Sequence, residues 1–352
     1  MVRSVSDIEA LATVNEIEDL RIEASDLRDL RGLECVTKVG NLYIERNAEL
    51  ESLEGLEGLV ETVGPYWVVG GGSSGEFFVR GNPALIEIAG FDSLTGVDGT
   101  LEISDNSSLL EIRGFDTVRL VRGQLIIADN PKLEEVAGFA MFEGGNVLAE
   151  GEGGLLNIER NARLKDVSLG DGVSVAALAG LAVRDNPALT NLDMQLLCTP
   201  EFFAFESNPS LKKLPTSVRL TLAASDSDLC YYTRAGYFYT IRAMPGLVDL
   251  ADLPHLEQAT LIEIVDNSGL LNLTGLGSLG GISELNIAGN PSLDSLSALD
   301  PMTGGSLIGV QAISVRDNDA LDACQLNRLV DQLMLANPDL EVNTGDNGEE
   351  CQ

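Results

Sequence analysis

The sequence predicts a mainly β protein: a right-handed parallel β-solenoid of about 13 coils, with short capping helices at its N-terminal and C-terminal ends. Three observations carry this reading. An asparagine recurs at Asn47, Asn82, Asn106, Asn130, Asn161, Asn186, Asn208, Asn267, Asn290 and Asn318. Five and three residues before it stand apolar pairs such as Leu42/Ile44, Leu101/Ile103, Leu156/Ile158 and Ile313/Val315, alternating with mostly polar neighbours as in a strand with one buried face. Three residues after it comes a leucine, as at Leu50, Leu85, Leu109, Leu133, Leu164, Leu189, Leu211, Leu270, Leu293 and Leu321. Each unit is too short to bury its own apolar face, so coil must stack on coil. The asparagine marks the inward turn after each strand, where a carboxamide can serve turn backbone groups and its own stacked copies at once.

Residues 1–18 read as an N-terminal cap, in which 4–14 form a helix. Ser6 and Glu9 have capping-box spacing, and Ile8 and Leu11 can face the first coil. Residues 19–321 read as one continuous solenoid, with Ser25 and Met244 as degenerate anchors. A first insertion between Gly64 and Phe78 carries Tyr66 and Trp67 and ends in a Gly/Ser-rich tip. Three coils then follow with anchors 24 residues apart, placing Phe91, Phe115 and Phe139 at one internal position. A second insertion near Met141 delays the coil anchored at Asn161. Between 190 and 240 the period fails and aromatics crowd together, Tyr231, Tyr232 and Tyr237 among them: this is either a joint between two solenoid halves or a bulged binding region. Residues 322–352 read as a C-terminal capping helix and tail. Asp322 and Gln325 give capping-box spacing, Leu326, Leu329, Val330 and Leu333 share one helical face, and Asn337-Pro338 ends it. Such a helix would cover the open edge of the last coil.

Fifty-five acidic against 22 basic residues give a formal charge of −33. That field disfavours nucleic acid and anionic membranes and solubilises a surface-rich fold. No apolar run reaches the length of a membrane span. The N-terminal residues lack the apolar core of a secretion signal, so the protein is cytoplasmic or its signal lies outside this chain. The five cysteines are far apart without C-x-x-C spacing, which argues against zinc.

Little chemistry is legible. His255 is the sole histidine and has no nucleophile elbow beside it, and no phosphate-binding glycine loop occurs. Asp105, Asp129, Asp185, Asp266 and Asp317 precede anchors and could form a calcium stripe, although solvation is the simpler reading. Asn106 fits a glycosylation tripeptide but points inward as an anchor. The outward residues mix Tyr43, Phe78, Glu102 and Asn157 in one row with Glu45, Arg80, Glu159 and Arg184 in another, without a paired-carboxylate site. We therefore expect no catalytic, cofactor-binding or metal-binding residues. Tyr66, Trp67, Tyr231, Tyr232 and Tyr237 are the candidate ligand contacts, the alternative being that they fill gaps where the period fails. Read down the columns, Glu159, Arg184 and Glu206 alternate in charge, as do Asp129, Arg160 and Asp185, so each arginine should stand between two carboxylates.

The units GNLYIERNAELESLEGLEGL, GTLEISDNSSLLEIRGFDTV and GISELNIAGNPSLDSLSAL resemble coils of the receptor L domain, a leucine-rich β-solenoid, and especially those of its bacterial and fungal cell-surface relatives. GLECVTKVGNLYI and CQLNRLVDQL with a later cysteine resemble the family's early segment and its closed C-terminal cap. The resemblance implies an extracellular or cell-surface location, a Cys324–Cys351 disulfide around the cap, and a monomeric, non-enzymatic binding module for a protein or glycan. Val14 stands near where relatives often place a cysteine, which leaves Cys35 without that partner. The chain is about twice one L domain, so the receptors' ligand positions do not transfer. A ligand-free scaffold of the cell envelope is the alternative, and a polysaccharide-acting β-helix enzyme a more distant one.

Overall fold

The computed structural model describes residues 1–63, 75–143, 155–170, 174–175, 180–196, 200–217, 237–253, 256–303 and 305–348. The chain is a mainly β parallel solenoid with two short helices among the described residues, and it divides into two compact units. One comprises Met1–Asn186 with Asp193–Gln195, the other Pro187–Leu192 with Leu196–Gln352.

In the first unit, helix α1 (Val5–Glu9) is shorter than the expected 4–14, and its cap lies two residues earlier than the Ser6/Glu9 spacing suggests. Ser4 is extended, and Asp7 Oδ2 accepts from the Arg3 N–H, the Ser4 N–H and the Ser4 hydroxyl at 2.9–3.0 Å. Asp7 wins over Glu9 because its short carboxylate gathers three donors at once. Ile8 is buried against Gly32, where an added Cβ would come within 2.5 Å of Ile8 Cγ2. Strand β1 (Glu16–Glu23) begins inside the segment expected to be cap, and Val2 bridges its Ile22.

Six further strands follow on the same face: β2 (Lys38–Glu45), β3 (Phe77–Arg80), β4 (Leu101–Ser104), β5 (Leu125–Ala128), β6 (Leu155–Glu159) and β7 (Gly180–Arg184). All pair in parallel, with the apolar pairs in register from Leu20/Ile22 over Leu42/Ile44 to Leu156/Ile158 over Leu181/Val183. Every one of these residues is buried. The residue before each anchor adopts the left-handed conformation, at Ala24, Arg46, Gly81, Asp105, Asp129, Arg160 and Asp185, with φ between 48° and 67°. That residue turns the chain inward, so the next side chain enters the core. Aspartate is common there because its short polar side chain tolerates this conformation.

The asparagines then form a continuous ladder. Asn47, Asn82, Asn106, Asn130 and Asn161 each donate their backbone N–H to Oδ1 of the next anchor at 3.0–3.1 Å, ending on Asn186. Each Nδ2 donates back to a strand carbonyl of the preceding coil, as from Asn106 to Val79 at 2.9 Å. All are fully buried, and each has partners on the neighbouring coils that only stacking provides, to which Asn82 and Asn130 add a local bond to the carbonyl two residues back. Beyond the anchors, the leucine column and the stacked Phe91, Phe115 and Phe139, with centroids 5.0–5.1 Å apart, fill the core. Shorter parallel strands, such as Glu87–Ile88 beside Glu111–Ile112, line the other sides of the coils.

The second unit repeats this plan with β8 (Phe202–Glu206), β9 (Phe238–Arg242), β10 (Gln258–Val265), β11 (Gly281–Ala288) and β12 (Gly309–Arg316). Met244, Asn267, Asn290 and Asn318 continue the anchor positions, and Met244 is as buried as the asparagines. Helix α2 (Ala323–Ala336) starts from Asp322, whose side chain accepts from the Cys324 N–H at 2.7 Å. Gln325 does not complete a capping box. It reaches the preceding coil instead, donating to the Asp294 carbonyl at 3.0 Å and accepting from the Leu296 N–H at 3.4 Å. Leu326, Leu329 and Leu333 are buried, and Val330 is half-buried. The helix connects β12 to a last strand, β13 (Glu341–Asn343), and that strand, not the helix, covers the edge of β12. Asn347 is an anchor the repeat reading missed, its Oδ1 accepting from the Asn318 N–H at 3.3 Å.

Candidate binding surface

Outward side chains at equal positions of consecutive strands must stand beside one another, about 4.8 Å apart. In the first unit this brings together Arg21, Tyr43 and Phe78, in register on β1, β2 and β3. The Tyr43 and Phe78 rings meet edge to face, with centroids 5.4 Å apart. The Arg21 guanidinium lies over the Tyr43 ring at 4.0 Å, and that of Arg80 over Phe78 at 4.5 Å. Two cation–π contacts therefore bracket an aromatic pair, an arrangement that holds all four side chains in place.

Carboxylates fix one end of this platform. Arg80 Nε donates to Glu45 Oε1 at 2.6 Å and Nη1 to Glu102 Oε2 at 3.3 Å. Glu45 is buried, and Arg46 also approaches it at 3.7 Å while pairing with Glu23. That pairing holds the Glu23 carboxyl below the usual carboxylate range. Arg21, by contrast, has no carboxylate within ion-pairing distance among the described residues, although its charge is felt by Glu23 through space. Burial pushes the Tyr43 phenol above its usual range and keeps it neutral and able to donate. Asn41 borders the platform, donating to Asp19 at 2.7 Å and accepting from Gly75 and Glu76 N–H groups at 3.0 and 3.1 Å.

Of the aromatic residues singled out in the sequence, Tyr66, Trp67, Tyr231 and Tyr232 lie outside the described residues, as do His255 and Cys351. Tyr237 is half-buried just before β9, its ring 6.5 Å from that of Tyr239, and burial together with the charge of Glu201 raises its pKa. Tyr239 is a core residue whose hydroxyl donates to the Pro200 carbonyl at 2.9 Å. Cys35 is free and exposed, and Cys324 is disulfide-bonded. The sequence reading had Tyr43, Phe78 and Arg80 in the outward rows but treated them as mixed, and it missed Arg21. Reading the row back one coil from Tyr43 would have found it.

The charge columns are partly as expected. Arg184 Nη1 meets Glu159 Oε1 at 3.1 Å. Arg160 makes a bidentate pair with Asp129 at 2.8 and 2.7 Å, but its remaining amino group goes to the adjacent Glu159 at 2.7 Å, not to Asp185. The adjacent residue in the chain competes successfully with the next coil. Among the described residues, no group of three or more His, Cys, Asp or Glu side chains is arranged to hold a metal ion.

No protein-family model matches the chain, and no curated protein matches it. Among solved structures it is similar to a chain in the crystal structure of the TLR13–ssRNA13 complex, at 12% identity, with 91% of this chain and 64% of that one covered and a TM-score of 0.18. The chain thus spans less than two thirds of that protein's length. A likeness of that degree assigns no ligand.

Proposed function

We propose that the protein is a non-enzymatic binding module of receptor L-domain type, extracellular or on the cell surface, that takes a protein or glycan ligand. The observation that carries this reading is the Arg21–Tyr43–Phe78–Arg80 platform. It places two aromatic rings and a guanidinium without a direct ion pair among the described residues on the outward face of three consecutive strands, and aromatics and arginine are the residues that dominate contact energies. A disulfide at Cys324 accords with an oxidising compartment, and Cys351 is its proposed partner around the C-terminal cap. The strongly acidic surface favours a monomer in solution and disfavours nucleic acid.

The test is a glycan and extracellular-protein array probed with the purified chain and with a Tyr43→Ser/Phe78→Ser variant of matched thermal midpoint. Signals that disappear with the two rings support the module. A silent array would favour the scaffold reading, and signals indifferent to both substitutions would remove the platform from the argument.

A further inference from the structure

The second unit contains a shallow groove of about 430 Å3 where the starts of β10, β11 and β12 meet the end of α2. Its composition is unusual for this chain: none of the lining residues is charged, although the chain carries −33 overall. Gln258, Gly281 and Gly309 occupy one column across the three strands, and Ser283 and Gln311 lie two residues further along β11 and β12. Asn337 closes one end, fixed by its bond to the Val310 carbonyl at 2.8 Å.

The floor glycines are the informative feature. A Cβ added at Gly281 would meet nothing nearer than the Gly309 carbonyl oxygen at 3.8 Å, and one at Gly309 nothing nearer than 3.6 Å. Neither has the left-handed backbone that favours glycine. At other positions the packing demands glycine: a Cβ at Gly40 would sit 2.2 Å from the Glu18 oxygen, and one at Gly269 would sit 2.1 Å from the Pro245 oxygen, whereas Gly96, Gly277 and Gly280 have room but do not line this groove. Glycine weakens a strand, and one of its uses there is to let a ligand approach the backbone closely; at Gly281 and Gly309 the open space coincides with a groove. Gln258 shares the glycines' column and is exposed, so side chains there would project into the groove and fill it.

We propose that this groove binds an uncharged polyhydroxylated ligand, a neutral oligosaccharide, with its ring over the Gly281–Gly309 floor. Gln258 and Gln311 are exposed, and their side-chain carboxamides make no hydrogen bond within the described residues. Each carboxamide offers a donor and an acceptor together, the pairing that adjacent sugar hydroxyls require. Ile308, 61% exposed, supplies an apolar wall for the C–H face of the ring. The absence of charge from the lining selects against charged peptides and anionic glycans alike. This site is separate from the Tyr43 platform and stands or falls without it.

The test uses the full chain and a panel of hexasaccharides: α1,4-, β1,4- and β1,3-linked glucose, β1,4-linked N-acetylglucosamine and α-linked mannose. Binding is followed by calorimetry and by ligand-observed NMR. At least one should bind, with affinity unchanged within about twofold between about 50 and 500 mM salt because no charge is involved. Gly309→Val, which β-structure tolerates, and Gln311→Ala should each weaken it about tenfold or more at unchanged thermal midpoint, while Tyr43→Ser leaves it intact. No binding by any of the panel at about 5 mM overturns the proposal. So does binding that survives Gly309→Val, or a groove that takes a peptide and no sugar.

Discussion

From Asn47 to Asn186 every rung of the first unit's ladder is a carboxamide, whereas in the second unit the rung between Asn208 and Asn267 is Met244. The coil persists there all the same. Met244 is fully buried, its N–H still donates to Asn267 Oδ1 at 3.0 Å, and its sulfur lies 3.7 Å from Asn208 Nδ2. A flexible thioether fills the volume and accepts weakly, but it has no donor to return to the preceding strand. The difference separates two roles that coincide elsewhere. Apolar columns and strand ladders hold the coil, and the asparagine satisfies the turn that the coil creates.

The largest expected effect lies in the apolar column. Leu109→Asn should cost about 2–5 kcal/mol by burying an amide without partners, against little change for Ser108→Asn, as read by denaturant midpoints. Equal midpoints would break the register. Next comes Asn130→Leu against Met244→Leu. Removing the Asn130 carboxamide strands the Asn106 N–H and the Ile103 carbonyl in the core and should cost about 1–3 kcal/mol per group left unpaired, whereas Met244→Leu should cost less than about 1.5 kcal/mol. If the two losses match, the ladder is ornament and the comparison fails.

The reverse substitution sharpens it. Met244→Asn restores the missing donor and should raise stability by about 1 kcal/mol, visible as a higher thermal midpoint. Smaller still is Arg160→Gln, which removes the bidentate pair with Asp129 and should cost about 0–1 kcal/mol at low salt and less at high salt. A salt-independent loss would mean that the side chain matters through packing. At the N-terminal cap, the Arg3 N–H first and then the Ser4 hydroxyl hold the Asp7 carboxyl below its usual range. A lowered carboxylate pKa contributes stability above the ordinary carboxylate range and loses it as the pH falls through the folded value. Amide protection in α1, taken relative to the intrinsic exchange rate at each pH, should accordingly fall in that acidic window while protection in β4 stays high, and Asp7→Asn should abolish the difference with pH.

The fold was legible because its signals are local and repeated. Leu101/Ile103 and Leu109 share one short stretch, and the same stretch returns many times. The left-handed residue before each anchor was not legible, since Ala24, Arg46, Asp129, Ser207 and Gly289 have no side-chain property in common. Asn347 escaped because Thr344 stands where the second apolar residue of the pair belongs. The binding platform was half visible. Tyr43 and Phe78 are 35 residues apart with an insertion between them, so their edge-to-face contact exists only once the register is known. The groove of the second unit gave no sequence signal, because a glycine required by packing and a glycine that leaves room look the same in a string of letters.

The ladder also has a direction. Ser25 donates its backbone N–H to Asn47, Asn47 to Asn82 and so on to Asn186, and Asn267 donates through Asn290 and Asn318 to Asn347. In each case the oxygen that satisfies a turn arrives with the coil that follows it in the chain. A ribosome delivers the coils in that same order. Each newly emerged turn therefore waits for one more coil and no further, and its backbone donor is exposed only for the time needed to translate about 22–35 residues. The growing end of the nascent solenoid is always its one unfinished rung, so folding can advance in step with synthesis from the N-terminal cap onward.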